Sequence, residues 1–352
     1  MSDSAETHHS FKKEACAVNE TDSKRLLAAA QRGIDWIVSQ QREDGSFGEL
    51  QDGIGGYYKT PYALAVAGYH REGQRLLDWV ARHHFTPAGD FRAPERKARE
   101  PFHEAWPVYA NAWLVQGAHR LGRWDLSLRG GEFLLRYQTP SGGFYALDGV
   151  TPFLEPVCTA WGGLAMLATG RVAPARSAGD LLVKLVAVQP DPRRFYFRMD
   201  VEGHIITEIP AGSELSYYVD AARPKQIYFN PGIALIYLAH LYRATGEERY
   251  LNAGNEIFRF TQCCADDVYR FPPSGKLGLG CALLYAIAGT TAARRAAVCV
   301  GDYLIETQTV EGFWRLPEEE LYASIQDKES FEVHLDLCSE FSTFLMEIAS
   351  LC

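Results

Sequence analysis

Residues 41–47 read Gln-Arg-Glu-Asp-Gly-Ser-Phe, and the outline of this stretch recurs along the chain. Residues 138–144 read Gln-Thr-Pro-Ser-Gly-Gly-Phe, and residues 308–314 read Gln-Thr-Val-Glu-Gly-Phe-Trp. All copies share a glutamine, three residues, a glycine, one residue and then an aromatic residue. This identical spacing indicates an internal repeat, and a repeat decides the fold class before any single motif does.

Weaker copies of this turn lie at 89–91, 194–197 and 267–269, which makes six turns in total. Each turn follows an amphipathic stretch and precedes one that is apolar nearly all round. Amphipathic helices lie at a surface, whereas helices that are apolar on every side are buried. The amphipathic stretches are 24–41, 74–82, 124–137, 175–188, 248–262 and 292–308, and the apolar ones are 58–68, 104–121, 155–168, 230–245, 276–288 and 331–351.

This alternation predicts an all-α fold, a single (α/α)6 barrel with six buried inner helices and six outer helices. The chain begins with an outer helix and ends with an inner one, so the last can pair with the first and close the ring. An open helical solenoid also satisfies the pattern, but the six pairs and the complementary ends favour closure. We expect the barrel to span residues 23–352 and residues 1–22 to form a loosely packed or disordered arm.

Residues 192–227 interrupt the helical rhythm and form the longest segment between helices. Aromatic and β-branched residues over 194–209 flank the turn Val201-Glu202-Gly203, a pattern typical of a β-hairpin. Long inserted segments often form lids or binding loops. We therefore expect this insertion to shape or cover the mouth of a pocket.

Composition excludes several classes of partner. The 352 residues carry a net charge of −9, so no overall positive field attracts nucleic acid or an anionic membrane. The longest apolar runs are too short to form a transmembrane segment. Most of the eight cysteines lie in apolar helical stretches and none forms a CxxC pair, which predicts reduced thiols and a cytoplasmic protein.

The repeated turn resembles the QW-type repeat of terpenoid cyclases and of protein prenyltransferase β subunits. Those families are (α/α) toroids, so the resemblance implies the same fold over most of the chain. The acidic motifs DxDD and DCTAE, which belong to class II cyclases, do not occur in the sequence. The resemblance implies a structural role, tying repeats together, for Gln41, Phe47, Gln138, Phe144, Gln308 and Trp314.

One local pattern resembles part of the prenyltransferase zinc site, which uses an Asp-x-Cys pair and a distant histidine. Asp336-Leu337-Cys338 has that form, with His334 nearby. Side chains two positions apart point about 200° apart around a helix, so they converge on one ion only near an end or a kink. We therefore predict neither a metal nor a cofactor.

The turns place the N-termini of the inner helices around one mouth of the barrel, where their N–H groups favour an anionic ligand group. Lys59 and Lys276 stand at two of these helix starts, although a solvated rim position is also typical of each. Carboxylates at this level are acid–base candidates, because an apolar pocket raises the pKa of a carboxyl group. Capping or ion pairing remains open for each of them. The predicted catalytic residues are Lys276, Lys59, Glu104, Asp220 and Asp336.

Aromatic residues cluster at the same helix starts and on the insertion. Some must fill the core, but their repetition favours an aromatic-lined cavity for a polyene, a terpenoid or a sugar ring. The predicted substrate-binding residues are Tyr57, Tyr58, His103, Trp106, Tyr109, Glu155, Trp161, Tyr217, Tyr218, Tyr228 and Asn230.

Together these features predict an enzyme of specialised metabolism, a cyclase or isomerase of a terpenoid or polyketide-like substrate with an anionic or polar end. Without an ionising acid motif, such a protein folds and polarises an already reactive substrate, and a pericyclic-type ring closure fits that description. The alternatives are a carbohydrate-active hydrolase, lyase or epimerase, and a non-catalytic binding module. An apolar chamber favours the cyclase or isomerase, and paired carboxylates on an open groove favour the carbohydrate-active enzyme. An exposed apolar patch without a cavity favours the binding module.

Overall fold

The computed structural model describes residues 20–48, 55, 57–92, 101–322, 325 and 327–352. Residues 1–19 of the expected N-terminal arm lie outside these described residues. The helices, in chain order, are α1 (Glu20–Gln40), α2 (Thr60–Val66), α3 (His70–His83), α4 (Pro101–Ala105), α5 (Pro107–Arg120), α6 (Trp124–Leu134), α7 (Pro156–Ala168), α8 (Val172–Ala187), α9 (Phe229–Thr245), α10 (Glu248–Gln262), α11 (Gly275–Ala288), α12 (Thr291–Thr307) and α13 (Phe331–Leu351).

Six of these helices form a closed inner ring. Helix α2 packs on α5, and the ring continues through α7, α9, α11 and α13 back to α2. The outer ring contains α1, α3, α6, α8, α10 and α12, and α1 packs against α13, which joins the two ends of the chain. The predicted all-α (α/α)6 barrel is therefore confirmed.

Close backbone approach holds the inner ring together. At Gly232 in α9, an added Cβ would collide with the backbone of Leu277 in α11. Helix α7 contains no charged residue and α11 contains only Lys276, so both bury their sides against neighbouring helices. No helix among the described residues is long and apolar enough to cross a membrane.

The three glutamine turns are built alike. In each, the glutamine side-chain amide donates to the carbonyl of the glycine in its own turn and to a carbonyl of the next outer helix, at 2.7–3.1 Å. The glycine has φ between +92° and +101°, and an added Cβ would collide with a carbonyl of that next helix. The acceptors are Gly45 and Glu72 for Gln41, Gly142 and Pro174 for Gln138, and Gly312 and Ala29 for Gln308.

Gln308 closes the ring, because its amide reaches from the last turn to Ala29 in α1. Gln308→Met is expected to lower the free energy of unfolding by about 1–3 kcal/mol, since two carbonyls lose their donor. Gln262→Met is the matched control, at the exposed last residue of another outer helix, and should change it by less than about 0.5 kcal/mol. Urea unfolding followed by circular dichroism measures both, and equal midpoints would contradict the closing role.

Two small antiparallel sheets accompany the barrel. Strands β1 (Tyr145–Asp148) and β2 (Thr151–Leu154) form a hairpin that the sequence analysis missed. Within the insertion, β3 (Arg194–Tyr196) pairs with β4 (Tyr218–Asp220).

The hairpin predicted within 194–209 forms around its turn, but it is short. A turn does form at 201–203, but it brings together only one pair, Met199 and Ile205. Strand β3 instead pairs with β4, because this register places Phe195 beside Val219 in the interior, whereas residues 205–209 stay partly or fully exposed.

Candidate functional site

A cavity of about 780 Å³ lies at the end of the barrel where the inner helices begin. Its walls come from the first turns of α5, α7, α9 and α11 and from the first half of α13. The β1–β2 hairpin adds Phe153, and the insertion adds Phe197, Arg198 and Ile227. The insertion thus forms part of the cavity wall, where it was expected.

The structure brings many of the predicted site residues together on this cavity. They come from distant parts of the sequence, and the repeat alone places them at one end of the barrel. Those that line it are Lys59, Lys276, Asp336, Tyr58, His103, Trp106, Tyr109, Glu155 and Asn230.

Two predicted catalytic carboxylates lie outside the cavity lining, which corrects the sequence analysis. Glu104 is exposed on α4, so its side chain points to solvent. Asp220 lies in β4, where its carboxylate is 3.5 Å from Arg194 and accepts a hydrogen bond from the Ala222 amide at 3.0 Å. These contacts assign Asp220 to the structure of the insertion.

Five predicted aromatic residues also lie outside the lining, because each packs against other side chains. Aromatic side chains bury a large apolar area, so they commonly fill the core around a site. Their partners are Trp79 for Tyr57, Trp113 for Trp161, Arg198 for Tyr217, Tyr196 for Tyr218 and Asp267 for Tyr228.

Four charged side chains on one side of the cavity form what we call the ion cluster: Lys59, Lys276, Asp336 and Glu340. Lys59 Nζ is 2.8 Å from Asp336 Oδ2 and also contacts Glu340, while Lys276 contacts the other oxygen of Glu340. Glu340 was not among the predicted site residues. It lies four residues after Asp336 on α13 and therefore on the same face of the helix, which is a signal that the sequence contains.

Burial and ion pairing act in opposite directions in the ion cluster. Burial alone raises the pKa of Glu340, but the two lysines outweigh it and lower that pKa to about 2. Burial lowers the pKa of Lys59, but Asp336 and Glu340 outweigh it and hold that pKa well above its usual value. Burial raises the pKa of Asp336 and lowers that of Lys276. Because two cations face two carboxyl groups, the pairing weakens the expectation that these lysines hold an anionic ligand end.

Glu155 forms a second polar centre, at the start of α7. Its side chain is 5% exposed, and Trp106 donates its indole N–H to Oε1. Trp106 takes this position because Pro107 begins α5 and leaves Trp106 outside helical geometry. Burial raises the pKa of Glu155 to about 7, against the lowering effects of Trp106 and Arg198. Near neutral pH this carboxyl group can therefore donate a proton.

His103 and two tyrosines line the wall between these two centres. The Tyr58 ring contacts His103 at 5.1 Å and Tyr109 at 5.8 Å between centroids. Burial and the nearby Arg92 and Lys59 charges hold the pKa of His103 well below its usual value, so its ring is neutral at pH 7.

Cys338 does not share a site with Asp336. Its thiol donates to the Gly33 carbonyl at 3.3 Å, on the side of α13 that faces α1, whereas Asp336 faces the cavity. The two side chains diverge as helix geometry requires.

Comparison with known proteins identifies the fold. No family model and no curated protein sequence matches the chain. A D-mannose isomerase matches with a TM-score of 0.66 at 11% identity, over 96% of this chain and 100% of that one. A GH76 α-mannanase from Bacteroides thetaiotaomicron matches at 0.58 and 12%, over 92% and 95%. A type II terpene cyclase from Scytonema matches at 0.57 and 12%, over 94% and 100%.

These neighbours are all (α/α)6 toroids, and one of them is a terpene cyclase. The resemblance of the repeated turn to terpenoid cyclases is thus confirmed at the level of the fold. Identities of 11–12% carry no information about substrate, because one fold hosts many chemistries.

Proposed function

We propose that the protein is a cyclase or isomerase that rearranges a hydrophobic small molecule of the terpenoid or polyketide type. The observation that carries this proposal is a mostly apolar cavity with a buried carboxyl group on its wall, Glu155, whose pKa is raised to about 7. A volume of about 780 Å³ is in the range of cavities that enclose a small molecule.

The wall favours an apolar substrate over a sugar. Most of the described lining residues have aliphatic or aromatic side chains, with Phe153, Phe197, Phe229 and Phe341 coming from four separate parts of the chain. The charged side chains of the ion cluster bind one another. Sugar hydroxyl groups need many hydrogen-bonding partners, and this wall offers mainly apolar contact.

The chemistry needs no co-substrate. Ring closure and isomerisation move bonds within one molecule, so the protein has only to fold the substrate and to supply a proton or hydrogen bond where charge develops. Glu155 supplies that donor in our proposal. A pericyclic-type ring closure requires the fewest catalytic groups, since holding the substrate in the reactive conformation provides most of the acceleration.

A carbohydrate-active enzyme is the second candidate. Glu155 and Glu340 face one cavity with pKa values shifted in opposite directions, as a glycosidase requires of its acid and its ionised carboxylate. The mannose isomerase and mannanase share the fold. We rank this reaction lower because Glu340 is held by two lysines and has little freedom to attack a sugar. A binding module without a cavity agrees least with the structure.

Product analysis by liquid chromatography and mass spectrometry separates the two candidates. The protein is incubated with hydrophobic polyenes and conjugated polyenones, and separately with mannose and α-mannooligosaccharides. A product of unchanged mass and altered retention, formed only in the first set, supports a cyclase or isomerase. A new ketose or shorter oligosaccharides in the second set would contradict it.

A further inference from the structure

Glu155 and Arg198 are direct cross-strand neighbours. Leu154 and Met199 exchange both backbone hydrogen bonds, at 2.9 and 2.8 Å, so Glu155 lies opposite Arg198 in the antiparallel pairing. Opposed residues next to such a pair have Cβ atoms about 4.5–5.5 Å apart on the same face. Both residues line the cavity, and Arg198 had no distinguishing signal among the arginines of the insertion.

Three side chains contact the Arg198 guanidinium. Its central carbon is 3.8 Å from the centroid of the Phe153 ring and 4.9 Å from that of Tyr217, and Nη2 donates to Asp148 Oδ2 at 2.7 Å. The Arg198 side chain is 12% exposed, whereas that of Asp148 is 68% exposed. Water screens the exposed Asp148 carboxylate, so this carboxylate neutralises the positive charge of Arg198 only in part. The lysines of the ion cluster, in contrast, pair with buried carboxyl groups.

Arg198 has N–H groups left for a ligand. Nη2 is engaged by Asp148, and Nε is buried without a partner atom. Nη1 has no hydrogen-bond partner among the residues that the structure describes. A carboxylate binds arginine most strongly through two parallel N–H groups. Beside Arg198, however, Asp148 and Glu155 also line the cavity, so an anionic ligand would meet two acidic side chains there, whereas a neutral carbonyl oxygen would not.

We infer that Arg198 and Glu155 together bind one carbonyl oxygen of the substrate, which is therefore a conjugated carbonyl compound. This inference rests on the proposed function and adds the polar group on which that function acts. Two donors on a carbonyl oxygen draw electron density from the carbons conjugated with it. Their hydrogen bonds strengthen as charge moves onto the oxygen during ring closure, which lowers the barrier.

Binding of β-ionone, a conjugated ketone, and of its alcohol β-ionol tests the inference by calorimetry and by the ultraviolet band of the ketone. We expect the wild-type protein to bind the ketone more tightly and to shift its band to longer wavelength. Arg198→Met should weaken ketone binding by about 10- to 100-fold, remove the shift and leave alcohol binding nearly unchanged. The matched control is Arg194→Met, because Arg194 stacks on Tyr218 and pairs with Asp220 outside the cavity lining.

Asp148→Ala, at an exposed position, is a second variant that tests the preference for a neutral oxygen over a carboxylate. It removes one of the acidic side chains beside Arg198 and releases Nη2, so affinity for the carboxylate β-ionylideneacetate should rise on the order of 10-fold. Unchanged carboxylate affinity in this variant, or unchanged ketone affinity and band in Arg198→Met, overturns the inference. A wild-type protein that binds only the alcohol overturns it as well, but leaves the proposed function intact. If the wild-type protein binds neither the ketone nor the alcohol, the inference and the proposed function are both contradicted.

Discussion

Glu340→Leu is expected to lower the free energy of unfolding by about 3–5 kcal/mol. The substitution removes the carboxylate that contacts both Lys59 and Lys276 and leaves Lys276 buried without its partner. Breaking a buried ion pair by removing one member costs this much because the remaining charge has lost both water and its partner. Chemical unfolding at pH 7 measures the loss.

Two further variants separate charge balance from simple loss of packing. Glu332→Leu, on the same helix, removes a carboxylate that has no ion pair among the described residues and should change stability by less than about 1 kcal/mol. Combining Lys276→Met with Glu340→Leu leaves the Lys59–Asp336 pair intact, so the double variant should be more stable than Glu340→Leu alone. If the double variant loses as much free energy of unfolding as the two single variants together, the proposed pairing between Lys276 and Glu340 is contradicted.

The pH dependence of this stabilisation has a defined sign. The pKa of Glu340 is about 2 in the folded protein and near 4.5 when the group is unperturbed. A depressed pKa stabilises the folded state above the unfolded value and loses that contribution as the pH falls. The difference between wild type and Glu340→Leu should therefore shrink between about pH 4.5 and pH 2.

Glu155→Gln is expected to reduce turnover by about 10²- to 10⁴-fold, because the amide cannot donate an acidic proton. Glutamine keeps the size of the side chain and the acceptor for Trp106, so the cavity should retain its shape. Glu104→Gln is the matched control, since Glu104 is exposed and outside the cavity lining, and it should leave turnover unchanged. Equal rates in both variants would remove Glu155 from the mechanism.

The same substitution should stabilise the protein at alkaline pH. The pKa of Glu155 is raised from 4.5 to about 7, so the folded state binds the proton more tightly than the unfolded state does. Stability contributed by such a group is full below pH 4.5 and is lost as the pH rises through about 7. Glutamine does not ionise, so Glu155→Gln should remove this loss. Its effect on the free energy of unfolding should be more favourable at pH 8 than at pH 4, by on the order of 3 kcal/mol.

The barrel was predictable because its repeated turn has strict backbone requirements. The glycine of each glutamine turn must adopt positive φ and approach a carbonyl of the next helix, so the motif keeps its spacing. Strand pairing within the insertion was less predictable, because the turn at 201–203 pairs only Met199 with Ile205, whereas residues 194–196 pair with the distant residues 218–220. The missed β1–β2 hairpin had a local signal, a two-residue turn of Gly149 and Val150 between two β-prone runs, with glycine in the first position, where positive φ is needed.

The position of the site was predictable, but its electrostatics were not. The repeat places Lys59 and Lys276 at helix starts, and hence on one cavity. Whether these lysines can bind an anionic ligand depends on Glu340, a residue of α13 that contacts both of them and is distant from both in sequence. Likewise Tyr57 and Tyr58 are neighbours in sequence, yet only Tyr58 lines the cavity, because the direction of each side chain is fixed by tertiary packing.

The pH profile of kcat/KM, with the substrate that the product analysis identifies, tests the central claim that protonated Glu155 acts in this cavity. We predict that the wild-type value falls as the pH rises through about 7, since the acid form is then lost. Glu155→Gln should show a low value without this transition. A wild-type profile that is flat or rises through pH 7, or a Glu155→Gln variant that keeps the same transition, would contradict the claim.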